Sequence, residues 1–154
     1  MISDLLMRFN LEIVTPEPWT QKDEYFSTSW GDRPLATSLS VHAHPKGHLY
    51  VSVYVGPFKG IADAEVFDEL PAALRRAYVQ AIGDARGTDS EPQMMRNVAR
   101  APRWLREGLR RALDAEIREA HLEVKRLDYA KGHAESQHEK AVASRALLPE
   151  EPKP

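Results

Sequence analysis

There is no cysteine among the 154 residues, which removes disulfide frameworks, thiolate nucleophiles and cysteine-ligated zinc or iron–sulfur centres together. No apolar run approaches the length a membrane-spanning helix needs. The first fourteen residues carry Asp4, Arg8 and Glu12, too polar for the core of a secretion signal. Catalytic signatures are missing as well: there is no Gly-x-Ser-x-Gly elbow and no His-Glu-x-x-His helix. Gly56–Gly60 follows a strand-like run but lacks the Gly-Lys-Ser/Thr ending of a phosphate loop, and reads as a strand exit turn with Pro57 closing the sheet edge. Glu135-x-x-His138 has the spacing of one half of a di-iron site, without the second copy such a site requires. These absences predict a cytoplasmic protein without cofactor or membrane contact, and they lean away from catalysis.

What remains is an ordinary globular composition, 42% hydrophobic and 29% charged, which argues against wholesale disorder. The formal charge of −2 conceals an asymmetry. Residues 1–70 hold ten acids and five bases; residues 71–154 hold thirteen acids and sixteen bases. The sharpest contrast is between Ile61–Leu70, with four acids and no base, and Arg96–Arg111, with six arginines and only Glu107 against them. Blocks of one sign mark a partner surface, pair internally, or stay solvated.

The first half reads as strands. Arg8–Val14 alternates, with Phe9, Leu11 and Ile13 on one side, and Glu24–Trp30 is aromatic with Ser27, Thr28 and Ser29 between its rings. Leu35–His44 and His48–Val55 flank Pro45-Lys46-Gly47, a proline-then-glycine combination suited to a three-residue hairpin loop. Pairing His44 with His48 sets His42 against Tyr50, Ser40 against Ser52, Val41 against Val51 and Leu39 against Val53. One face is then Ser, His and Tyr, the other Leu and Val; a slip of one residue would scramble both.

The second half reads as helices. Val66, Phe67, Leu70, Leu74, Ala77, Tyr78, Ala81 and Ile82 recur at three and four, interrupted by Pro71. Ser90-Glu91-Pro92-Gln93 has the form of a capping box, and Pro102 separates this region from a long helix beginning at Arg103. Lys131-Gly132 is the expected end of that helix, with one further helix over 133–148. The expected fold is α+β: an antiparallel sheet of three or four strands, over about 8–55, packed by two to four helices over about 62–148. It forms a single domain over 1–148, with a disordered tail over 149–154.

Two clusters are candidate sites. On a helix starting at Arg103, the side chains of Arg103, Arg106, Arg110 and Arg111 lie opposite Leu105, Leu109 and Ala112. Arg96 and Arg100 join that arc if the helix continues through Pro102, and Trp104 sits at its rim. Guanidinium forks match carboxylates and phosphates, so the partner is a larger protein or nucleoprotein with an acidic surface; nucleic acid is the weaker alternative. The other cluster is His42, His44 and His48, a candidate metal or proton-transfer site on the hairpin. Finally, Leu113, Ile117, Ala120, Val124 and Leu127 keep three-four spacing, so residues 103–131 offer a homodimer seam.

Overall fold

A computed structural model describes residues 2–147, and the expected tail lies outside them. The chain opens with a helix, α1 (Ile2–Glu12). Five strands follow: β1 (Thr20–Lys22), β2 (Tyr25–Trp30), β3 (Thr37–Ala43), β4 (Leu49–Val55) and β5 (Phe58–Ala64). A 3-10 turn at Phe67–Glu69 leads into α2 (Leu70–Ala85), α3 (Glu91–Ala99) and α4 (Arg103–Ala146). The strands form one antiparallel meander in chain order, so the α+β expectation holds with five strands rather than three or four.

The β3–β4 hairpin has the expected register, His42 against Tyr50, Ser40 against Ser52, and Val41 against Val51. Its turn closes through Gly47 N–H to the His44 carbonyl at 2.8 Å and His44 N–H to the His48 carbonyl, with Gly47 at φ 94°. Only one face of this sheet is apolar. Leu39, Val41, Val51 and Val53 are buried there, and α2 lies over β4 and β5 with Leu74, Ala77, Tyr78, Ala81 and Ile82 inward.

Several sequence expectations change. Arg8–Val14 is not a strand: residues up to Glu12 belong to α1. Phe9 and Ile13 are both buried, but they are also four apart, a spacing that suits a helix as well as alternation. Leu11, the intervening member of the supposed strand face, is 71% exposed. Leu, Met, Arg and Glu are strong helix formers, and this decides the ambiguity. Phe9 then stacks on Phe26 at 4.7 Å between ring centroids, bringing α1 onto the apolar face.

Ile61–Ala64 of the acidic stretch is not a helix start but the second half of β5, while its Asp68 and Glu69 lie in the 3-10 turn before α2. Gly56-Pro57, expected to end the sheet, is instead the tight link between β4 and β5, with Gly56 at φ 58°. Gly60 hides the strand pattern because α2 comes so close: a Cβ there would lie 1.8 Å from the Ala77 carbonyl oxygen. Finally, no break occurs at Lys131-Gly132, and α4 runs on to Ala146. Gly132 has open space around it, so the helix tolerates it at a modest cost.

The capping box at Ser90 is also unformed. Ser90 makes no side-chain cap bond, while Gln93 donates to the Arg33 carbonyl at 2.8 Å. Asn97, buried in α3, completes that attachment. Its amide nitrogen donates to the carbonyls of Asp32 and Leu35, and its oxygen accepts from Asp32 N–H at 3.2 Å.

The chain groups into two compact units, Met1–Ala112 and Leu113–Pro154. The sheet, α1 to α3 and Arg103–Ala112 of α4 form the first, which holds the buried core from Phe9 to Leu109. The described part of the second is the remainder of α4 and Leu147.

Candidate functional site

The arginine face starts from a local break. Arg100 caps α3, its N–H turned to the Asn97 and Val98 carbonyls. Pro102 lacks the donor needed to continue α3, and its carbonyl instead receives the Leu105 and Arg106 N–H groups at the start of α4. The helix therefore does not run through Pro102, and the single arc from Arg96 to Arg111 does not form. Arg96 is exposed on α3, and Arg100 pairs with Asp32 at 3.3 Å.

The α4 members do share a surface. Leu105 and Leu109 are buried, which turns Arg103, Arg106, Arg110 and Arg111 outward, all exposed. Arg103, Arg106 and Arg110 line one open concavity together with Glu107, whose carboxylate accepts from Arg103 Nε at 3.0 Å. That pair is solvent-exposed, so it is worth at most about 1 kcal/mol and holds the groove's charge only loosely. Arg106 also approaches the phenol of buried Tyr78; burial pushes that phenol's pKa up, and the Arg106 charge partly opposes this.

Trp104 is half-buried, and its indole N–H donates to the Val14 carbonyl at 2.7 Å. It ties α4 to the segment after α1 instead of presenting a ring for stacking. The acidic stretch shows contacts elsewhere too. Asp68 accepts from Arg8 at 3.2 Å, and Asp63 lies 3.7 Å from His48 Nε2.

The histidines lie on the polar face of the sheet, opposite α2. His42 is sandwiched between Tyr25 of β2 and Tyr50 of β4, with ring centroids 4.7 Å away on both sides. His44 and His48 stack on each other at 4.1 Å, and His44 Nδ1 accepts from Lys46 N–H at 3.1 Å. The register accounts for these stacks, since directly opposed side chains on neighbouring strands lie side by side. Stacked imidazoles present faces to one another, whereas a metal needs ring nitrogens converging on one point. Among the described residues, no group of three or more His, Asp or Glu side chains has an arrangement that could hold a metal ion. Burial, helped by the Lys59 charge, lowers the His42 pKa, so its neutral form is favoured.

Asp63 and Tyr25 complete the polar row and were not legible from the hairpin alone. Tyr25 comes from β2 and Asp63 from β5, both aligned with the His42–Tyr50 pair. The available signal for Asp63 was weak, because Gly60 and Ala62 blur the alternation of that strand. No family model, curated protein or solved structure matches this chain. Among the described residues, no helix is long and apolar enough to cross a membrane.

Proposed function

We propose that this chain is a non-catalytic binding protein, an adaptor, inhibitor or regulator, that recognises an acidic surface on a larger protein or nucleoprotein. Arg103, Arg106, Arg110 and Arg111 carry the recognition. The supporting observation is three exposed guanidinium groups around one concavity, with a single loosely held carboxylate among them. Such forks pair with two carboxylate oxygens at once, and arginine is a frequent anchor of protein interfaces. A protein surface fits better than a nucleic acid because Trp104 is engaged internally and the sequence pI is 6.3.

The test is affinity capture from the native cell with the wild type and a variant carrying Arg→Glu at 103, 106, 110 and 111. A partner identified this way is then titrated against both purified proteins. The expected outcome is loss of binding by the variant with a melting temperature close to wild type, since the four groups are exposed. Undiminished binding by the charge-reversed protein would overturn the reading. A labelled oligonucleotide with a steep salt dependence, bound in preference to the protein partner, would transfer the site to nucleic acid.

A further inference from the structure

From Leu113 onward α4 keeps a three-four repeat that nothing described in its unit covers. Leu113, Ile117, Ala120, Val124 and Leu127 occupy alternating core positions of a heptad pattern. Ile117, Val124 and Leu127 are each more than half exposed. The positions flanking this seam between 114 and 135 include Asp114, Glu116, Glu123, Asp128 and Glu135, with His121 and Ala130, and contain no lysine or arginine. Arg118, Lys125 and Arg126 sit farther round the helix, while Lys131 takes the next seam position after Leu127 and lies 4.0 Å from Glu135. Glu123 is within reach of Arg126 on this same helix, an exposed pair that leaves its side chain about half accessible.

We infer that residues 113–135 of α4 dock an amphipathic helix of another protein that has an apolar seam flanked by lysine or arginine. The acidic flanks select this occupant over a second copy. In a parallel pair of identical chains, Glu123 meets Asp128 of its partner; in an antiparallel pair, acidic flanks meet their own kind. Like charges across both edges oppose self-pairing, whereas a basic-flanked helix satisfies both edges while covering the leucine and valine surface. The same acidic flanks disfavour anionic membrane surfaces.

The test uses the full chain and two labelled helical peptides of about four heptads with identical Leu and Ile seams, one flanked by Lys and one by Glu. The Lys peptide is expected to bind at least about tenfold more tightly in moderate salt, with the preference shrinking at high salt. The double change Glu123→Lys and Asp128→Lys should erase or invert that preference. The seam change Ile117→Asn with Val124→Asn should abolish binding of both peptides, with far-UV circular dichroism checking that the sheet-bearing unit stays folded. Lys-peptide binding that survives the seam change reduces the effect to bulk charge attraction and overturns the proposal. So does an absence of binding by the wild type. A dimer of the chain alone at equilibrium sedimentation, lost on Val124→Asn, would overturn it in favour of a second copy.

Discussion

His42 is held by two tyrosine faces and sits close enough to the Lys59 charge to feel it, so protonating it in the folded state is unfavourable. Its folded pKa lies below the unfolded value, which means the unfolded chain takes up its proton first as pH falls. The contribution of His42 to stability is therefore present above the unfolded pKa of about 6.5 and shrinks as the solution is acidified through that range. His42→Phe keeps a flat ring between Tyr25 and Tyr50 but removes the titration. Its urea midpoint should fall less than that of wild type between neutral and mildly acidic pH, and an identical fall in both proteins would contradict this account. The pairing of His42 with Tyr50 was legible from the sequence because turn chemistry and facial pattern agreed on one register. Tyr25 was not placed beside them, because nothing in residues 24–30 states which strand they pair with.

Two glycines show how the same residue reads differently in different elements. In β5, Gly60 is required because the α2 backbone at Ala77 fills the place of a side chain. In α4, Gly132 meets nothing, and only its backbone freedom matters. Gly60→Ala should destabilise the first unit by about 1–3 kcal/mol or more in urea unfolding, as overpacking against backbone does. Gly132→Ala should instead increase the helical signal and favour the α4 helix by roughly 0.5–1 kcal/mol. Read from sequence, both glycines looked like punctuation: one as part of a strand exit, the other as a helix end. Local propensity could not distinguish them, since the difference is whether another element packs there. The same limit explains α1, whose Phe9 and Ile13 satisfy both a helical and an alternating pattern until the sheet supplies the surface they bury against.

Across the whole chain, the described buried core lies between Phe9 and Leu109, and Glu116–Leu147 is exposed throughout. A chain ending after Arg118 should thus keep the cooperative unfolding midpoint of the full protein while losing most of the α4 helical signal. A midpoint lowered by several degrees would show that residues beyond 118 stabilise the first unit. The sequence by itself determined the α+β class, the β3–β4 register, the charge asymmetry and the outward direction of the α4 arginines. The asymmetry is a matter of composition, and the others follow from periodicity or turn chemistry along the chain. The tertiary structure decided the strand count, the use of Trp104 as a tether and the stacking of the histidines. Those depend on which surfaces meet: close helix–sheet contact makes a strand acceptable with Gly60 at its centre, and ring-on-ring packing keeps three imidazoles from sharing one ion.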